Sequence, residues 1–303
     1  MRKIKQLLAC AVLAFSAAAS ALPVAAERTE WAAFFAQAPA VGTIAILDTR
    51  GGEEHVWVHN AARAQQRFSP ASTFKIPHTL FALQAGAVRD EFEVIAWDGV
   101  QRGYPGWNQN QTLRSAMRYS TVWVFERFAE KIGHPQLAAW MRENGYGNAA
   151  TTGEAPFWVE GDLAISALEQ LVFLQKLYRN ALPFDRAHQL LTKDVMVVEA
   201  GSDWIVRAKT GWSGSIGWWV GWVERPTGTV FFALNIDTPR RQDDLAKRQS
   251  IARQVASIRR FISCPCRSHH DAVVPLRPIA SFFMPRQAAV PTAETAPPPQ
   301  SRR

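Results

Sequence analysis

Ser72 and Lys75 stand three residues apart in Ser72-Thr73-Phe74-Lys75. On a helix that spacing puts both side chains on one face, within reach of each other. A serine hydroxyl is a weak nucleophile until an adjacent base takes its proton, and a lysine can be that base only when it is not an ammonium ion. At a helix start Ser72 would also lie at the positive end of the helix dipole, which favours a developing oxyanion. The pattern alone is unspecific, since Ser-x-x-Lys arises about once by chance in a chain of this length. A helix cap and a surface lysine would read the same way. Lys209-Thr210-Gly211 is rarer, arising by chance in roughly one chain in ten. Lysine there offers a point charge to an anionic substrate group, Thr210 can hydrogen-bond the same anion, and Gly211 lets a backbone approach closely.

The surrounding elements must bring these two motifs together. Thr43 to Asp48 and Val56-Trp57-Val58, joined by the turn at Arg50-Gly51-Gly52, read as a hairpin. Ser72 to Gln84 reads as a helix stopped by Gly86, with Pro77 as a potential kink. A second helix runs from Pro135 to Gly145, and a third starts at the capping box Ser166-Ala167-Leu168-Glu169. Trp204–Ala208, Trp218–Val223 and Val230–Ile236 read as strands, and Gln242–Phe261 as a closing helix. Ser120-Thr121-Val122 starts a helical-looking run, and Tyr146-Gly147-Asn148 follows a helix stop. The order predicts an α+β fold: an antiparallel sheet flanked by helices, with an all-helical subdomain inserted between its strands.

The set Ser72-x-x-Lys75, Ser120-x-Val122, Tyr146-Gly147-Asn148, Lys209-Thr210-Gly211 and Trp218-x-x-Gly221, with the tryptophan segment Phe157-Trp158-Val159-Glu160-Gly161, resembles the class D (oxacillinase-type) serine β-lactamases among the penicillin-recognising enzymes. The likeness runs from about residue 28 to 263. It implies opening of a β-lactam ring through an acyl-Ser72 intermediate. It also implies that Lys75 is carboxylated by CO₂ or bicarbonate (N6-carboxylysine) and acts as the general base. Burial among Phe74, Val122 and Trp158 would uncharge the amine, because desolvation disfavours the ammonium form. By the same likeness the Trp158 indole N–H holds the carbamate, and Ser120 relays protons toward the leaving nitrogen. The backbone N–H groups of Ser72 and Trp212 form the oxyanion hole, and Arg248 pairs the substrate carboxylate beside Thr210. From residues alone Arg248 competes with Arg240, Arg241 and Arg253. The short Ser213–Gly217 loop departs from the family and leaves the substrate spectrum open.

Three rivals use overlapping residues. A penicillin-sensing receptor domain would be acylated without turning over, although such receptors carry several membrane helices. A D,D-peptidase would carry Ser-x-Asn where this chain has Ser-x-Val. A Ser-His-Asp hydrolase would use Gly211-Trp212-Ser213-Gly214-Ser215, which ends in Ser and precedes a strand rather than a helix.

Bulk properties agree with a small-molecule enzyme. The 303 residues are 48% hydrophobic and 11% aromatic with 12 tryptophans, enough for a sizeable core. Of the net charge of +8, Arg2, Lys3 and Lys5 supply +3 and residues 267–303 another +3, leaving +2 for the middle. That bulk charge does not supply the basic face a nucleic-acid binder needs, so no nucleic-acid partner is expected. The basic start, the apolar run Leu7 to Leu22 and the small residues Val24-Ala25-Ala26 predict a signal peptide over 1–26, giving a periplasmic or secreted protein free of the membrane after cleavage. The catalytic domain then spans 27–266, and 267–303 is a Pro-rich, unstructured tail. Cys10 leaves with the signal. Cys264 and Cys266, two apart, are poorly placed for a disulfide or a zinc site, so no metal is expected. The partner is a small β-lactam, with the protein itself a monomer or homodimer.

Overall fold

The computed structural model describes residues 22–256. Residues 1–21 of the expected signal peptide over 1–26, Cys264, Cys266 and the tail lie outside the described residues. Within them seven strands make one sheet: β1 (Ala26–Glu27), β2 (Gly42–Asp48), β3 (His55–His59), β4 (Val197–Ala200), β5 (Ile205–Trp212), β6 (Ile216–Arg225) and β7 (Gly228–Asp237), in the order β1-β3-β2-β7-β6-β5-β4. Neighbours are antiparallel except the two-residue β1, which pairs parallel to β3. The expected antiparallel sheet is therefore mixed at that edge. Ala26, the residue before the expected signal cut, pairs with Trp57.

Helices α1 (Ala32–Gln37) and α9 (Leu245–Val255) cover one face, and α2 (Ala61–Gln65), α3 (Lys75–Gln84), α4 (Leu113–Tyr119), α5 (Val122–Ile132), α6 (His134–Asn144), α7 (Ala167–Tyr178) and α8 (Arg186–Val195) belong to the other side. Two cores result from strand alternation. On β6 the side chains of Trp218, Val220 and Trp222 enter the helical block, whereas Trp219 and Val223 pack with Ile251 and Val255 of α9. On β7 Phe231 and Ala233 face the block, and Phe232, Leu234 and Ile236 face α9. Because both faces are covered, these strands read as continuous apolar runs rather than as an apolar-polar alternation.

The capping box forms as expected: Ser166 Oγ accepts from Glu169 N–H (3.2 Å), and the Glu169 carboxylate accepts from Ser166 N–H (2.9 Å). Helices α4 and α8, strand β4 and the short α1 and α2 have no counterpart in the sequence reading. The first two are amphipathic or capped segments inside polar stretches, and the others are under eight residues long. The closing helix starts with a 3-10 turn at Arg241–Asp244 before α9. The expected continuation past Ala256 lies outside the described residues.

Candidate active site

The nucleophile sits on a 3-10 turn, Ala71–Phe74, which runs directly into α3. The expected helix from Ser72 is thus tighter over its first turn, and Pro77 falls within the first turn of α3. Ala71 is held at φ 47°, the left-handed region an alanine avoids, so surrounding contacts over-determine the turn. Three of those contacts are hydrogen bonds. Thr73 Oγ1 donates to Pro70 O at 2.7 Å, Gln170 Nε2 of α7 donates to Thr73 Oγ1 at 2.9 Å, and Trp218 Nε1 of β6 donates to Ser69 O at 2.8 Å. None of these supports was found from the sequence. A glutamine and an indole N–H become meaningful only once their helix and strand are placed against the turn.

Ser72 is partly exposed while Lys75 is fully buried, and Lys75 Nζ lies 3.0 Å from Ser72 Oγ. Burial pushes the lysine down from its ordinary 10.5 to about 7, with Glu126 of α5 drawing the other way. The surroundings are aromatic. Phe125 lies 5.1 Å from Nζ, and Phe74 stacks on Trp158 with ring centroids 5.8 Å apart. Trp158 is buried, and among the described residues its indole N–H has no hydrogen-bond partner. An unpaired buried donor costs roughly 1–3 kcal/mol. The segment carrying it is fastened to the nucleophile's turn, because Ser69 Oγ donates to the carbonyls of Trp158 and Val159, both at 3.0 Å.

Ser120 closes α4 in the left-handed region (φ 58°), and Val122 opens α5. Lys209 Nζ donates to Ser120 Oγ at 3.0 Å and to Thr210 O at 2.9 Å. Burial, then the charges of Lys75 and Arg248, hold the Lys209 amine well below its usual range. The two serine–lysine pairs, 72/75 and 120/209, therefore share one buried region.

Gly211 explains how β5 comes so close. A Cβ there would meet Pro70 O at 2.8 Å and Thr73 N at 3.2 Å, so only glycine lets the strand lie on the nucleophile's turn. Alternation along β5 assigns the next donor. Ala208 N–H donates toward Met196 on the β4 side, and Ser213 N–H donates to Ile216 O on the β6 side. Trp212, in phase with Ala208, turns its N–H to the edge that β4 no longer covers. An N–H turned to an open strand edge can donate to an acceptor from outside the sheet.

Thr210 and Trp212 put their side chains on the α9 face, where Trp212 Nε1 donates to Thr238 Oγ1 at 3.2 Å. Arg248 of α9 is buried there. Its Nη1 donates to Gly211 O at 2.7 Å and its Nε to Leu245 O at 2.8 Å. Gly217 makes room for it, since a Cβ would lie 2.9 Å from Arg248 Cδ. Two of the three competitors are occupied elsewhere: Arg240 binds Asp244 and Arg253 binds Glu199. Tyr146-Gly147-Asn148 is structural. Asn148 Oδ1 accepts from Ala164 N–H at 3.0 Å, and its Nδ2 donates to Asp162 O at 2.7 Å, bracing the loop that carries Trp158. Ser213 lies in the β5–β6 turn rather than on a strand-to-helix elbow, which removes the structural basis for the Ser-His-Asp reading.

A family model of the penicillin-binding protein transpeptidase domain matches residues 42–257. The chain is 59% identical over 230 residues to Beta-lactamase OXA-15 of Pseudomonas aeruginosa, covering 76% of this chain and 84% of that one. It is 40% identical over 241 residues to Beta-lactamase OXA-48 of Klebsiella pneumoniae, covering 78% and 90%. The crystal structure of a class D β-lactamase, YbXI from Nostoc, superposes with a TM-score of 0.71 at 39% identity, covering 75% of this chain and 97% of that one.

Proposed function

Because the chain belongs to the class D β-lactamases, a family of hydrolases acting on the β-lactam amide bond, we propose that it hydrolyses penicillin-type antibiotics through an acyl-enzyme on Ser72, with carboxylated Lys75 as general base. The observation that carries this reading is a lysine amine buried among aromatic rings, 3.0 Å from Ser72 Oγ and held at about 7. A neutral amine attacks CO₂, forming an N–C bond and releasing one proton. The buried Trp158 N–H, unpaired among the described residues, fits the anion so made. Carboxylated, Lys75 would supply the base that takes the Ser72 proton and later the proton of the hydrolytic water.

The remaining steps belong to side chains and backbone. Ser72 Oγ attacks the ring carbonyl, whose oxygen turns toward the N–H groups of Ser72 and Trp212. The C–N bond of the ring breaks, and Ser120, hydrogen-bonded to Lys209, delivers a proton to the departing nitrogen. Lys209, Thr210 and Arg248 hold the substrate carboxylate. Water then attacks the ester carbonyl and releases Ser72. No metal is required. We further propose export to the periplasm. Among the described residues no helix is long and apolar enough to cross a membrane.

The test is a time course with a penicillin and a chromogenic cephalosporin, joined to intact-protein mass measurement. Multiple turnovers are expected, with a transient adduct on Ser72 that Ser72→Ala abolishes. One stoichiometric burst that stops would instead mark a β-lactam sensor, and release of D-Ala from a stem peptide without β-lactam turnover would mark a D,D-peptidase.

A further inference from the structure

His78 lies one helical turn beyond Lys75 on α3, on the same face. It is fully buried, and among the described residues neither ring nitrogen has a hydrogen-bond partner. Its ring meets Trp158 edge-on at 5.2 Å between centroids, Phe74 at 5.1 Å and Phe125 at 5.4 Å. Of these rings, Phe125 also lies 5.1 Å from Lys75 Nζ, and Phe74 also stacks on Trp158. Burial, then the charge of Lys75, pushes the imidazole down to about 3, so it is neutral at physiological pH. A neutral imidazole carries one N–H donor and one acceptor, and each wants a partner when buried. A phenylalanine would fill this aromatic cluster without leaving two unmet polar atoms. Among the described residues, three polar atoms without partners, two on His78 and one on Trp158, thus sit on two touching rings, one of them a helical turn from Lys75.

We propose that His78 is a positioning residue for carboxylated Lys75, its neutral ring donating an N–H to the carbamate alongside the Trp158 indole. This rests on the carbamate reading above. A carbamate has two oxygens to satisfy. On that reading Ser72 Oγ and the Trp158 N–H are two donors to it, and His78 would supply a third from the helix that carries Lys75 itself. The ring would thereby set how tightly the amine retains CO₂.

The experiment measures carboxylation directly. CO₂-stripped protein is titrated with ¹³C-bicarbonate, and the ¹³C carbamate signal is followed by NMR alongside activity. His78→Phe keeps the aromatic packing and removes both nitrogens, and His78→Asn keeps a donor. Loss of one hydrogen bond to an anion should raise the bicarbonate concentration for half-saturation about tenfold or more in His78→Phe. His78→Asn should stay within about threefold. In wild-type protein labelled with ¹⁵N-histidine, loading with CO₂ should shift one ring nitrogen of His78. This readout stands even if His78→Phe folds poorly. A normal wild-type carbamate signal with unchanged half-saturation in His78→Phe, or an unmoved His78 ¹⁵N resonance, overturns the role of His78 alone. Absence of any carbamate signal from the wild type overturns the carbamate reading, and this proposal with it.

Discussion

Lys75→Met separates the energetics of the buried amine from catalysis. In the unfolded chain the amine has its ordinary value of 10.5, and in the fold it is held at about 7. Between those values the unfolded state binds a proton that the folded state does not, so stability rises with pH across this window. At pH 7.5 the gap to 10.5 is three units, which costs the folded state ~4 kcal/mol at ~1.4 kcal/mol per unit. Methionine has similar length and no charge to lose. It forfeits the 3.0 Å bond to Ser72, worth ~1 kcal/mol. The variant should therefore be more stable by ~3 kcal/mol, or about 6–12 °C in Tm for a domain of this size, while losing turnover. The assay is urea and thermal unfolding of both proteins in CO₂-free buffer from pH 7 to 9. The stability gap should shrink by ~1.4 kcal/mol for each unit that pH rises. A variant less stable than wild type at pH 7.5, or a gap that does not move with pH, would refute the uncharged amine on which the chemistry depends.

Gly211→Ala places a methyl 2.8 Å from Pro70 O. Displacing β5 from the nucleophile's turn by a fraction of an ångström should lower kcat/KM by about 100-fold with little change in unfolding temperature. Steady-state kinetics together with calorimetry would separate this from simple misfolding. Arg248→Ala should raise KM for penicillins about tenfold or more and change kcat less, since the carboxylate pair is made in ground state and transition state alike. Unchanged kinetics would move that role to a neighbour. Trp158→Phe keeps an aromatic ring beside Phe74 and deletes the N–H together with the second ring of the indole. Its activity should require about tenfold more bicarbonate, and a variant indifferent to added bicarbonate would count against carbamate binding by the indole.

Much of this site was legible because its parts are short motifs with local geometry. Ser72 and Lys75 meet through one helical turn, and Gly211 is glycine because another backbone occupies the space of its Cβ. The three consecutive strands β5, β6 and β7 announced themselves by apolar runs and one sharp turn. The less legible parts depend on contacts distant in sequence. Arg248 could not be told from Arg240 or Arg253 until α9 was laid across β6. Gln170 supports the nucleophile from 97 residues beyond Thr73. His78 lay within the helix already identified, yet a histidine among apolar residues reads as ordinary core until both its nitrogens prove unmatched among the described residues. The parallel edge strand β1 is two residues long, too short to carry a period.

The pairing of Lys75 with Lys209 adds a constraint that neither motif shows alone. The charge of Lys75 is one of the causes that depress Lys209, so two ammonium ions in this region oppose each other. Converting Lys75 into an anionic carbamate reverses the sign of that interaction. On the proposed mechanism, capture of CO₂ therefore does two things at once. It installs the base beside Ser72, and it favours the protonated Lys209 that the substrate carboxylate needs. The same event would polarise Ser120, whose hydroxyl accepts from Lys209 at 3.0 Å, toward giving up its own proton to the ring nitrogen. Loss of CO₂ should then weaken substrate binding as well as acyl-enzyme hydrolysis, and a rise in KM on CO₂ stripping would reveal the coupling.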